Sequence, residues 1–272
     1  MYPPPCTKSI TGSGSSNSCV GAVTFSVETL TERQIAKTID HSLLRPELDD
    51  AFVEAGCRLA AEYDVASVCV PPVHVRRAKA ILDGTDVAVG TVVGFPHGYC
   101  TTETKVVETR QALADGATEI DMVIQIGALK SGRDGDVEAD IRAVVEVAHA
   151  AGAIVKVIFE NHYLTDDEIV RACRLTEAAG AEFVKTSTGF AASGATHEHL
   201  ALMRRSVSDH VQVKAAGGVR TLDALIEVMN LGTTRIGATA TKAIIDDFRA
   251  RKAGGQPVTT AAASGTSGEG TY

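Results

Sequence analysis

The chain has 272 residues, 44% of them hydrophobic, and a formal net charge of -8. That length can bury a large core in one α/β barrel or two small domains. The acidic balance without a basic run argues against a nucleic-acid partner, and no stretch of about 18 uncharged apolar residues argues for a membrane span. The N-terminal MYPPPCTKSI has no apolar run of the kind a secretory signal carries, so none is expected. Cys6, Cys19, Cys57, Cys69, Cys100 and Cys173 show no CxxC spacing. Reduced thiols and a cytoplasmic location are therefore the expectation.

Residues 1–28 hold Pro3-Pro4-Pro5 followed by Gly, Ser and Asn, and read as a disordered extension. Residues 253–272, rich in Gly, Ser, Thr and Ala, read as a flexible tail. Between them, residues 29–252 form one domain of about 220 residues, the size of a single (β/α)₈ barrel. After a short helix at 31–37, β-rich runs at 38–43, 67–70, 86–93, 119–124, 154–159, 182–185, 211–214 and 234–236 predict strands. Ala-, Glu- and Arg-rich runs at 49–63, 72–82, 101–115, 136–151, 165–179, 196–207, 221–231 and 239–251 predict helices. Thr165 ahead of three acidic residues is a helix start, and Gly116, Gly152, Gly180 and Gly232 fall where left-handed helix caps belong. Strict alternation of eight strands and eight helices implies a parallel sheet closed as a TIM barrel. An open doubly wound sheet is the alternative, but no GxGxxG follows the first strand.

The strands carry polar intruders. Asp121 in TEIDMVI, Lys156 in IVKVIF, Lys185 in EFVK and Lys214 in VQVK each stand opposite an apolar outer face, so all four point into the barrel. Any single lysine could be a snorkelling or ion-paired strand residue. Four ionisable groups on consecutive strands must instead perturb one another. A lysine beside a second cation gives up its proton more easily and can attack a carbonyl, while a nearby carboxylate can relay protons. This is the set that Schiff-base carbon–carbon chemistry needs, and spacing alone leaves open which lysine is the nucleophile.

Two glycine loops follow the last strands: Ala216-Gly217-Gly218-Val219-Arg220, leading to Thr221 as a helix cap, and Gly237-Ala238-Thr239. Backbone amides at helix starts attract phosphate, and barrels often place a phosphate site after strands seven and eight. Weaker candidates are Asp40 and Ser42 at the end of the first strand, as contacts to a sugar hydroxyl or as a polar rim. Cys69 reads as a packed small hydrophobe. His97 and His162 lack ligand-spaced partners, so no metal is assigned. Arg204 and Arg205 read as solvated helix residues.

With these residues in view, the chain resembles deoxyribose-phosphate aldolase, a metal- and cofactor-independent class I aldolase on a TIM barrel. The resemblance runs from about Ile35 to Ile245 through KTIDHSLL, ASVCVPP, VGFPHG, GATEIDMV, KVIFE, EFVKTSTGF, VKAAGGVRT and TRIGAT, in that order. It implies that Lys185 forms the Schiff base, that Lys214 lowers its pKa, that Asp121 relays protons, and that Lys156 is structural. It implies a phosphate site at Gly189, Gly217, Gly218 and Gly237, with Thr188, Thr239 and Arg220 as further contacts. The implied substrate is a small phosphorylated sugar, 2-deoxy-D-ribose 5-phosphate, and family members are often homodimers.

Two departures stand out. After RIGA the family usually has two serines and a glycine, whereas this chain has Thr239-Ala240-Thr241. Phe190 follows Gly189, where some members carry a phosphate-binding lysine. The terminal Tyr272 matches members whose mobile tail ends in a tyrosine that reaches the active site, against the plainer reading of an incidental residue. Two other readings are open: a lysine-dependent barrel aldolase or transaldolase for a different phosphosugar, and a silent barrel that only binds one.

Overall fold

The computed structural model describes residues 24–255. Eight parallel strands close into a barrel: β1 (Ile39–Ser42), β2 (Ser67–Val70), β3 (Ala88–Val93), β4 (Glu119–Val123), β5 (Ile154–Ile158), β6 (Phe183–Lys185), β7 (Gln212–Ala216) and β8 (Thr233–Ala238). Each pairs with the next, and β8 pairs back onto β1. The surrounding helices are α1 (Glu32–Ala36), α2 (Asp50–Glu62), α3 (Val75–Leu82), α4 (Thr102–Ala114), α5 (Ile126–Lys130), α6 (Asp134–Ala150), α7 (Asp166–Ala179), α8 (His197–Ser206), α9 (Leu222–Asn230) and α10 (Thr241–Lys252).

Local chemistry explains the boundaries. Thr165 accepts from the Glu168 amide while the Glu168 carboxylate accepts from the Thr165 amide, a reciprocal cap that starts α7. Gly180 ends it at φ 89°, a conformation that costs glycine little. On the strands, the outward residues (Ile120 and Met122 on β4, Val155 and Val157 on β5, Val213 and Ala215 on β7) are buried against the helices. Their neighbours point inward in layers drawn from alternate strands, as closure of a tilted eight-stranded barrel requires.

The structure departs from the sequence expectation at several points. β7 and β8 each run two residues further, to Ala216 and Ala238. α5 was not expected; it has five residues, a glycine and no side-chain cap, so it carries almost no local signal. Arg204, expected in solvent, donates to the carbonyls of Val207, Ser208 and Val211 and closes the end of α8, while Arg205 is exposed. Residues 24–28, assigned to the disordered extension, are instead fastened to the barrel. The Phe25 amide donates to Asn230 Oδ1 at 2.7 Å, Asn230 Nδ2 returns a bond to Phe25 O, and Lys252 Nζ donates to the carbonyls of Val27, Glu28 and Leu30. Most of the expected extension, and the tail from residue 256 to Tyr272, lie outside the described residues. Among the described residues, no helix is long and apolar enough to cross a membrane.

Candidate active site

The strand register brings Lys185 beside Lys214 and Asp121 beside Lys156. Inside the barrel their side chains converge. Lys185 Nζ and Lys214 Nζ both donate to Asp121 Oδ2, each at 2.7 Å. Lys214 Nζ also lies 2.5 Å from Asp40 Oδ2. Lys156 Nζ donates to Glu119 Oε2 at 2.5 Å and Asp40 Oδ2 at 3.1 Å. It stands 3.1 Å from Asp121 Oδ1, but off the hydrogen-bonding direction, so that oxygen has a charge partner and an unused lone pair. Arg235 closes the cluster from β8, donating to Asp40 and to Glu119.

Seven ionisable side chains therefore share a nearly dry interior, and sequence reading had counted only four. The cations outnumber the carboxylates by one: Lys156, Lys185, Lys214 and Arg235 face Asp40, Glu119 and Asp121. Lys156 touches three carboxylates, while Lys214 and Arg235 touch two each. Lys185 touches one.

The proton affinities follow that count. Burial pushes the Lys185 amine below its ordinary range, Asp121 opposes the shift, and neighbouring Lys214 adds to it. Lys214 is equally buried, yet Asp121 and Asp40 together outweigh desolvation and hold its ammonium above the usual range. For Asp121, burial favours the neutral acid, but Lys156, Lys185 and Lys214 overcome it and keep the carboxylate ionised. The result is one loosely held amine between a firm ammonium and a firm carboxylate.

Above Lys185 a narrow cleft opens at the C-terminal end of the strands. It is lined by Ser42, Leu44, Lys185, Thr188, Gly189, Gly217, Gly218, Gly237 and Thr239, together with Ala216, Val219 and Ala238. Gly189, Gly217 and Gly218 have φ of 88°, 80° and 97°, so their backbones turn where a side chain would be strained. Lys185 is the one cationic side chain among these lining residues. An anion in the cleft would rest mainly on backbone amides and on the start of α9, where the Thr221 hydroxyl accepts from the Ala224 amide.

Residues 34–246 match the sequence pattern of the DeoC/LacD family aldolases. The chain belongs to this family. It is 51% identical over 215 residues to the deoxyribose-phosphate aldolase of Geobacillus sp. (strain WCH70), covering 79% of this chain and 96% of that one. The crystal structure of a Coccidioides immitis protein provisionally assigned as a deoxyribose-phosphate aldolase superposes with a TM-score of 0.78 at 41% identity, covering 81% of this chain and 87% of that one. The tetrameric deoxyribose phosphate aldolase of Aeropyrum pernix superposes with a TM-score of 0.76 at 27% identity, covering 81% and 93%.

In this DeoC/LacD aldolase most residues singled out from sequence meet at the cleft: Lys185, Thr188, Gly189, Gly217, Gly218, Gly237, Thr239 and Ser42 line it, with Asp121 and Lys214 directly beneath. Three do not. Asp40 is completely buried, with its oxygens engaged by Lys156, Lys214, Arg235 and Ser67, so it is an internal counter-ion and not a rim group. Arg220 is exposed and lies outside the lining. Tyr272 is outside the described residues. Cys69 packs with Leu44 and Val92, and burial, with Asp121 nearby, pushes its thiol up to about 11.

Sequence reading missed Glu119, Arg235, Glu160 and Gly194. Glu160 sits at φ 58°, and its carboxylate accepts from both the hydroxyl and the amide of Thr188. Thr188 in turn accepts from the Phe190 amide at 3.0 Å, which shapes the turn beside the cleft. Gly194 lets the loop after β6 lie on the loop after β7: a Cβ there would stand 2.4 Å from the Gly217 carbonyl oxygen. A non-glycine residue in the left-handed region and a glycine in contact with distant backbone leave no mark on hydrophobic periodicity. Only Arg235 and Glu119, charged residues inside strand segments, carried a signal that could have been read.

Proposed function

We propose that this chain reversibly cleaves 2-deoxy-D-ribose 5-phosphate to D-glyceraldehyde 3-phosphate and acetaldehyde, with Lys185 as the Schiff-base amine. One observation carries the choice of residue. Among the three interior lysines, Lys185 alone has a single carboxylate contact and lines the cleft. The substrate follows from the Geobacillus relative, whose name states it.

Lys185 attacks the C1 aldehyde of the open-chain sugar, and loss of water gives an iminium. Asp121, directly beneath the cleft, takes the C3 hydroxyl proton through a bound water. The C2–C3 bond breaks, its electron pair moves into the iminium to form an enamine, and the C3 oxygen becomes the aldehyde of glyceraldehyde 3-phosphate. Protonation of the enamine carbon and hydrolysis of the new iminium release acetaldehyde and restore the amine. Lys214 stays an ammonium throughout and keeps Lys185 from holding a proton. Lys156 is structural.

The phosphate is assigned to the backbone of Gly189, Gly217, Gly218 and Gly237, with Thr239 as the hydroxyl contact. Thr241, the second hydroxyl of the altered turn, is buried and hydrogen-bonded to His41 Nδ1 at 2.8 Å, which removes it from the cleft. Arg220 is a peripheral attraction for the same group. A cytoplasmic location and a homodimer complete the reading; light scattering on the purified chain tests the second.

The deciding experiment is borohydride trapping with deoxyribose 5-phosphate or acetaldehyde, followed by peptide mapping. One adduct on Lys185 is expected. An adduct only on Lys156 or Lys214, or none, would overturn the assignment. Aldehyde release from fructose phosphates in place of deoxyribose 5-phosphate would move the enzyme to another phosphosugar.

A further inference from the structure

The charges around Lys185 extend well below any atom a substrate can reach. Arg235 and Glu119 stand near the closed, N-terminal end of the barrel. Arg235 Nη2 donates to Glu119 Oε2 at 2.8 Å and to Ser67 Oγ at 3.1 Å, and Arg235 Nε donates to Asp40 Oδ1 at 2.7 Å. The Phe183 ring lies against this layer, with its centroid 5.9 Å from the Arg235 guanidinium carbon and 6.0 Å from Lys156 Nζ. From there an unbroken line of ion pairs leads upward: Arg235 to Asp40, Asp40 to Lys214, Lys214 to Asp121, Asp121 to Lys185.

Every strand but one contributes a titratable or charged group: Asp40 from β1, Cys69 from β2, Glu119 and Asp121 from β4, Lys156 from β5, Lys185 from β6, Lys214 from β7 and Arg235 from β8. β3 (AVGTVV) has none, and Glu160 stands just past β5. Cys69 stays a neutral thiol because burial disfavours its thiolate. Glu160 lies within electrostatic reach of Lys185, but its carboxylate is taken up by Thr188 and burial raises its hold on a proton, so the ion-paired groups are three carboxylates and four bases. A guanidinium does not lose its proton in proteins, so the base that gives way must be a lysine. Lys185 has the fewest carboxylate contacts.

We propose that the Arg235–Glu119 pair sets the protonation of the Lys185 amine from the far end of the barrel, Arg235 being the fixed fourth cation that leaves the interior one carboxylate short. The pair touches no substrate atom. It positions charge, and it is a second determinant of amine reactivity beside Lys214. This inference rests on Lys185 as the reacting amine.

The test reads the amine directly. Competitive acetylation of the full chain with acetic anhydride across pH, followed by peptide mass spectrometry, gives the protonation midpoint of Lys185 whether or not the enzyme turns over. Arg235→Met removes a cation, so protonated Lys185 becomes favoured and the midpoint moves up by about one pH unit. Glu119→Gln removes an anion and moves it down by a similar amount. Arg235→Lys keeps the charge and leaves the midpoint near wild type. A merely structural role would lower the folded fraction without driving the two variants in opposite directions. Midpoints of Arg235→Met and Glu119→Gln that stay at the wild-type value, or that move the same way, would overturn the proposal. Should Arg235→Met not fold, Glu119→Gln alone decides: an unmoved or raised midpoint overturns it and a lowered one supports it. Wild-type borohydride trapping separates this from the underlying reading. Opposed shifts without an acetaldehyde adduct on Lys185 would overturn the Schiff-base role and leave the charge mechanism standing.

Discussion

Two of the buried lysine–aspartate contacts among the described residues make a contrast, Lys105 with Asp140 and Lys185 with Asp121, and only the second is suited to chemistry. Outside the barrel, Lys105 on α4 donates to Asp140 on α6 at 2.5 Å and to the Val123 carbonyl at 2.7 Å. Asp140 also accepts from Thr102 at 2.8 Å and from Gln125 at 3.2 Å. One cation meets one anion, and neutral groups satisfy the remaining valences. Inside the barrel, Lys185 meets Asp121 at a comparable distance, but Lys214 already donates to the same oxygen. Burial and a short ion pair are common to both. The stoichiometry differs, and that difference frees an amine.

Four experiments press on this contrast. The largest effect is expected from Lys185→Met, which should lower kcat by about 10⁴-fold or more while leaving thermal stability near wild type, since loss of a covalent nucleophile removes the pathway. Residual activity above about one per cent of wild type would erase the distinction between the two pairs. Next, Asp121→Asn should lower turnover by roughly 10²- to 10⁴-fold. It also removes the group that opposes deprotonation of Lys185, so the pH profile of borohydride trapping should move toward acid. A profile that moves toward base would show that Asp121 does not restrain the amine.

Breaking the outer pair should act on stability instead. Lys105→Met strands a buried carboxylate and is expected to cost about 3–5 kcal/mol in urea unfolding, with much of the loss recovered in Lys105→Met/Asp140→Leu. The folded fraction should keep the wild-type trapping profile, and a shifted profile would mean that the two pairs are coupled.

Another buried base gives the smallest effect and shows what burial does without a paired anion. His41 is hydrogen-bonded to Thr241, and burial pushes its pKa down to about 4. The unfolded chain titrates near the ordinary value of about 6.5, so it binds more protons than the folded chain between those limits. Stability is therefore complete above pH about 6.5 and falls as the pH drops toward 4, by on the order of 3 kcal/mol. Unfolding midpoints of wild type and His41→Asn across this window measure it, and parallel curves would exclude His41 as the cause.

The barrel was legible because eight apolar strand runs alternate with eight helical runs, and because Asp121, Lys156, Lys185 and Lys214 interrupt consecutive strands at inward positions. The outlines of the cleft above Lys185 were legible because glycine loops after strands end at a helix start. Arg235 and Glu119 were passed over for a physical reason. Each lies inside its strand run, where a single charge reads as a snorkelling or ion-paired strand residue until its partners are known. Their partners are far along the chain, Asp40 lying 195 residues from Arg235. α5 was missed because five residues with an internal glycine have no periodicity to detect.

What the amino-acid order determined by itself was the alternation of elements, the inward register of the interior lysines and the family signature, all of them local patterns of two to fifteen residues. What tertiary structure alone decided was the count of charges around Lys185. A charge balance belongs to a closed volume, and that volume exists only once β8 has paired with β1.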